Sequence, residues 1–165
     1  MKIGIVYYSR TGNTKQAAKI LEEKFKEKKA QVDLIEIEHV KKPGFFKAGS
    51  SAANQKEVPI KNTNFDLKKY DFIVAGTPTW AGKPSPYLKA FMNRTENVKG
   101  KKVAFFSVGM SPIDKREIVI EIIKNDLEKV GLKTIESTLF LRTKRDKIVD
   151  GENNIDNFVN NVLKG

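Results

Sequence analysis

The chain has 165 residues, a formal net charge of +11 from 31 basic and 20 acidic residues, a single histidine and no cysteine. That length suits one domain over residues 1–165, able to bury roughly 70% of the surface of its unfolded form. Without cysteine there is no disulfide, thiolate nucleophile, iron–sulfur cluster or cysteine-ligated zinc, and His39 alone builds no histidine metal site, so redox chemistry requires a bound organic cofactor.

Along the chain, apolar runs alternate with helical patterns. Ile3 to Tyr8 reads as a buried strand. It turns polar at Ser9 with no cleavage site, so it is not read as a signal peptide. Ala17, Ala18, Leu21 and Phe25 share one face of a helix over about 14–28 that ends in lysines. Val32 to Ile37 is a second strand, Phe72 to Ala75 a third and Lys102 to Ser107 a fourth. Between the last two, Ser85-Pro86 reads as an N-cap and first helical residue, with Leu88, Phe91 and Met92 on the apolar face. Asp114 and Glu117 have capping-box spacing, and a helical period from Val119 to Val130 stops at Gly131. Thr134 to Leu141 is a fifth strand. Ile155, Phe158, Val159, Val162 and Leu163 mark a closing helix. This alternation predicts an α/β fold, a parallel sheet covered on both faces. Segment 39–70 carries only a faint helical signal around Ser50 to Lys56.

No run approaches the roughly 18 apolar residues of a membrane span, so a cytoplasmic chain without a membrane partner is expected. Basic clusters such as Lys41-Lys42, Lys68-Lys69 and Arg142 to Lys147 are dispersed and accompany no HTH, RRM or KH motif. They read as a solvated surface rather than a nucleic-acid site, although the positive field favours an anionic cofactor or an acidic partner.

The chemistry sits in the loops that follow the strands. Ser9-Arg10-Thr11-Gly12-Asn13-Thr14 places hydroxyls and a permissive glycine between a strand and a helix start. The first helical amides there have no intrahelical acceptor, so the turn predicts a site for a phosphate. A second loop, 77–84, holds Trp80, the chain's one tryptophan. Its ring suits stacking on an aromatic ligand, with core packing as the other reading. A third loop spans 107–113. Gly76 to Lys83 fails as a Walker A loop, with five residues between its glycines and Pro84 in place of the hydroxyl.

Ser9 to Thr14 resembles the FMN-phosphate loop of flavodoxins, and Gly76-Thr77-Pro78-Thr79-Trp80-Ala81-Gly82 resembles their first isoalloxazine loop. The resemblance implies a flavodoxin-like three-layer sandwich, with a five-stranded parallel sheet of order 2-1-3-4-5 and helices on both faces. By position, Ser9, Arg10, Thr11, Gly12, Asn13 and Thr14 would hold the phosphate of FMN. Pro78, Thr79, Trp80, Ala81 and Gly82 would line the flavin ring, and Ser107, Val108 and Gly109 would supply backbone contacts to its pyrimidine edge. Val108 to Asp114 lacks the outer stacking aromatic of many flavodoxins, so one flavin face is either open or covered by segment 39–70 with Phe45 and Phe46. The chain is basic where typical electron-shuttle flavodoxins are acidic. These two departures favour a reductase, whereas the near-complete phosphate loop and the short chain favour what the resemblance implies first, an electron carrier for redox partner proteins, acidic ones by charge. The alternatives are an NAD(P)H-dependent FMN or quinone reductase, and a non-redox module for another phosphate ligand.

Overall fold

β-branched and aromatic runs build the centre of the molecule. The computed structural model describes residues 1–55, 57–110 and 116–165. Its strands are β1 (Lys2–Tyr8), β2 (Gln31–Ile37), β3 (Phe72–Trp80), β4 (Lys83–Pro84), β5 (Lys102–Gly109), β6 (Lys133–Lys144) and β7 (Lys147–Asp150). The helices are α1 (Asn13–Glu27), α2 (Phe45–Asn54), α3 (Pro86–Met92), α4 (Arg116–Lys129) and α5 (Ile155–Lys164).

Five parallel strands run in the order β2-β1-β3-β5-β6. Successive side chains point to opposite faces, and both faces are buried. Val6, Tyr8, Ile73, Val103 and Phe105 pack with residues of α3 and α4, whereas Ile5, Tyr7, Phe72, Val74 and Phe106 pack with α1 and α5. Gly76 stands between Tyr7 and Phe106 in the register. A Cβ on it would lie 2.2 Å from Phe106 Cζ, so only glycine lets that ring cross β3.

The sheet departs from the expected five strands. It has seven, because β7 pairs antiparallel with the end of β6 and the two-residue β4 pairs antiparallel with β3. The β6 strand continues past Leu141, shifts register at Arg142/Thr143, and turns at Arg145, which adopts φ 56°. Strand β3 also runs five residues beyond Ala75 to Trp80, so Thr77 to Trp80 is strand where the sequence reads as loop. Pro78 is tolerated because the pairing with β1 ends at Gly76, and its carbonyl instead accepts the Ser85 N–H at 3.0 Å. The faint helix expected around Ser50 to Lys56 runs instead from Phe45 to Asn54, and Lys56 lies outside the described residues. Ser85 Oγ accepts the Tyr87 N–H at 3.3 Å with Pro86 at the first turn, and Gly131 adopts φ 91° at the end of α4. Asp114 lies outside the described residues.

Candidate functional site

The loops at the C-terminal ends of β1, β3 and β5 open on one cleft of about 550 Å³, large enough for a small-molecule cofactor. Its far walls come from α2 and from the β6–β7 turn.

At one end, β1 gives way to the turn that starts α1. Gly12 is the N-cap with φ 103°, a conformation that suits glycine, and Ser9 Oγ accepts the Gly12 N–H at 3.1 Å. The first intrahelical bond is Gln16 N–H to Gly12 O at 2.8 Å. The amides of Asn13, Thr14 and Lys15 therefore have no intrahelical acceptor and stand at the positive end of the helix dipole. Thr11 and Thr14 line the cleft beside them, Thr14 almost wholly buried. Asn13 Nδ2 donates to Thr143 Oγ1 at 3.2 Å and to Arg145 O at 2.9 Å, which ties the turn to the β6–β7 hairpin. Arg10 Nε donates to Pro43 O at 2.9 Å, and its guanidinium lies 6.0 Å over the Phe45 ring, holding the start of α2.

At the other end, β3 presents Pro78, Thr79, Trp80 and Ala81 to the cleft. Trp80 is half-buried and serves both readings of the sequence: it lines the cleft and packs on the core. Its ring meets Tyr8 and Tyr87 edge-on at 5.8 and 6.3 Å. These two tyrosines stack on each other with centroids 4.0 Å apart and planes 7° apart. Burial, with the neighbouring Tyr87 hydroxyl, pushes the Tyr8 phenol well above its ordinary range, and burial raises Tyr87 as well. The stack behind Trp80 is thus neutral. Ala81 and Gly82 join β3 to β4 with φ 49° and 75°, the two left-handed residues of a type I′ hairpin turn.

Ten of the expected residues, Arg10, Thr11, Asn13, Thr14, Pro78, Thr79, Trp80, Ala81, Val108 and Gly109, meet on the cleft wall. Four do not. Ser9 and Gly12 shape the turn, and Gly82 shapes the hairpin. Ser107 is buried with its Oγ 2.6 Å from Thr79 Oγ1 and donating to Thr77 O at 3.2 Å, so it positions Thr79 from behind. The sequence reading missed Met110 and the β6–β7 residues Thr143, Arg145 and Asp146, and it left open whether Phe45 reaches the site. A turn-forming Arg145-Asp146 between two polar strand ends is the only local signal for that hairpin.

Free helix-start amides, hydroxyls and Arg10 at one end, with an aromatic wall at the other, fit a ligand that joins a phosphate to a flat ring. A family model for NADPH-dependent FMN reductases matches residues 1–142. A flavodoxin of Maridesulfovibrio salexigens is 29% identical over 152 residues, covering 88% of this chain and 90% of that protein. An NAD(P)H dehydrogenase (quinone) of Brucella abortus is 32% identical over 109 residues, 66% of this chain and 54% of that one. The chain thus spans about half the length of the curated quinone dehydrogenases it matches. A solved flavoprotein of Lactobacillus acidophilus in complex with FMN shares the fold at a TM-score of 0.70 and 22% identity, over 95% of this chain and 97% of that one. The matched span takes in the α1 turn, the Trp80 wall and nearly all of the parallel sheet, and the chain belongs to the NADPH-dependent FMN reductase family of flavodoxin-like flavoproteins, with FMN as its cofactor.

Proposed function

We propose that the chain is an electron-transfer flavoprotein, holding the FMN phosphate on the Ser9–Thr14 turn and the flavin ring against Trp80, and exchanging electrons with redox partners at the cleft mouth. The observation that carries this reading is the joining of both half-sites in one cleft. When bound, FMN supplies the one- and two-electron chemistry. The chain's own residues bind and orient. The Asn13–Lys15 amides and the Thr11 and Thr14 hydroxyls would take the phosphate oxygens. Ser107 holds Thr79, and the Tyr8–Tyr87 stack holds Trp80, so the ring wall is set before binding. Arg10 and Arg145 on the wall would favour a more negative, reduced ligand by Coulomb attraction. Partners with an acidic docking face suit the +11 charge. Similarity to a flavodoxin over 88% of this chain supports the carrier role.

A second reading, an NAD(P)H-dependent reductase, is favoured by the family match and by one feature of the cleft. Val108, Gly109 and Met110 bring no aromatic ring to the cleft, which leaves space for a nicotinamide, and Arg10 and Arg145 could meet dinucleotide phosphates. Anaerobic mixing of the FMN-loaded protein with NADPH or NADH separates the two. A carrier keeps its flavin absorbance over minutes and is bleached by dithionite, whereas a reductase is bleached by the nucleotide within seconds. A chain that binds another phosphate ligand but not FMN refutes both and leaves the non-redox module.

A further inference from the structure

Of the seven large hydrophobic side chains that stand exposed among the described residues, Val40, Phe45 and Phe46 fall within seven consecutive positions. Phe45 turns to the cleft, which it lines, and lies edge-on to Phe46 at 6.0 Å. Phe46 and Val40 project outside it, 91% and 54% exposed. The base of this tip is fixed rather than loose. Pro43 is buried with its carbonyl held by Arg10, and α2 buries Ala48 and Ala52 on its other side. Lys41, Lys42 and Lys47 flank the apolar residues, all exposed, and none pairs with a carboxylate among the described residues. From His39 to Lys56 the sequence contains no Asp or Glu.

A fully exposed phenylalanine on an anchored, lysine-flanked tip costs solubility unless something takes it up. A second copy of the chain is a poor occupant, because it would set these lysines against its own. A protein partner would need a pocket shaped to a projecting ring. The interfacial zone of a bilayer takes such a ring without a preformed pocket, and anionic headgroups attract both the three lysines and the whole +11 chain. We propose that the Val40–Lys47 tip docks this protein on anionic lipid surfaces. Phe46 and Val40 enter the boundary between headgroups and acyl chains, Lys41, Lys42 and Lys47 meet lipid phosphates, and the Phe45 side of the cleft mouth turns towards the membrane. Docking of this kind needs no spanning segment, and no helix among the described residues is long and apolar enough to cross a membrane. It departs from the sequence-level expectation of no membrane partner, and it stands independently of the carrier or reductase role.

The test is co-sedimentation of the FMN-loaded protein with vesicles of phosphatidylcholine alone, or of equal parts phosphatidylcholine and phosphatidylglycerol. The protein should pellet with the anionic vesicles at about 0.05 M salt, and be released at about 0.5 M. Phe46→Ser should weaken partition roughly tenfold with FMN affinity unchanged. Lys41→Glu/Lys42→Glu should weaken it on the order of fivefold for each charge removed. Lys28→Glu/Lys99→Glu carries the same change of net charge at the opposite end of the sheet and should weaken it far less. Four results overturn the proposal. The remote pair proves as damaging as the Lys41/Lys42 pair, or Phe46→Ser leaves partition unchanged. Retention on immobilised polyglutamate without vesicle binding would assign the tip to an acidic polypeptide, and a dimer dissolved by Phe46→Ser would assign it to a second copy.

Discussion

Replacing Asn13 by alanine cuts the link between the α1 turn and the β6–β7 hairpin. The side chain makes two hydrogen bonds, to Thr143 Oγ1 at 3.2 Å and Arg145 O at 2.9 Å. The Arg145 carbonyl is accessible to water, so losing that bond costs about 0.5 kcal/mol. Thr143 is 3% exposed, and an unmatched buried hydroxyl adds about 1 kcal/mol or more. A total of about 1.5 kcal/mol in a chain of this size lowers Tm by roughly 4–6 °C. FMN affinity should fall up to about tenfold, since the ligand must then order a hairpin that Asn13 holds in advance. Thermal melts of the FMN-free protein and fluorescence titrations with FMN give the two quantities. The bond itself is isolated by a double-mutant cycle with Thr143→Val, for which the coupling should be about 0.5–1 kcal/mol. Additivity of the two substitutions within about 0.3 kcal/mol, or an unchanged FMN affinity in Asn13→Ala, would refute the idea that this contact organises the phosphate end.

The other expectations concern the sheet and the ring wall. Gly76→Ala sets a methyl 2.2 Å from Phe106 Cζ and should cost about 3 kcal/mol or more, read as a lost or strongly lowered melting transition. Gly82→Ala, at φ 75°, should destabilise by about 1 kcal/mol in urea unfolding. Ala81→Gly should change stability by well under about 1 kcal/mol, because relief at φ 49° is offset by a freer unfolded chain. Folding raises the phenols of Tyr8 and Tyr87, so the unfolded chain loses these protons first. Their contribution is full below about pH 10 and is lost as pH rises towards the folded values, at up to about 1.4 kcal/mol per pH unit for each tyrosine. Alkaline denaturant titrations should show this fall, and Tyr8→Phe should flatten it. An equally steep fall in Tyr8→Phe would exclude Tyr8 as its source.

The strands and most helices were legible because their signals are local: apolar runs at Ile3 to Tyr8 and Val103 to Phe106, the Ser85-Pro86 cap, the stop at Gly131. The Ser9–Thr14 turn is equally local, since a strand end, a glycine able to adopt φ 103° and a helix start are neighbours in the chain. Thr77 to Trp80 misread as loop because proline and threonine punctuate it, while its pairing with β5 depends on residues about 30 positions away. The same distance hid the hairpin: Thr143 and Arg145 reach Asn13 across 130 and 132 residues, and no short window contains that contact.

Sequence alone determined an alternating α/β chain without thiol or histidine metal chemistry, with a hydroxyl- and glycine-bearing turn after its first strand and a tryptophan after its third apolar run. Those properties follow from composition, periodicity and capping, which act over a few residues. Tertiary structure decided that Trp80 serves core and cleft together, that Ser107 supports the site instead of lining it, and that Arg145 and Phe45 complete the walls. It also decided that Phe46 is left in water beside lysines that pair with no carboxylate among the described residues. Each of these depends on which distant surfaces are buried against each other, and only the packed sheet sets that.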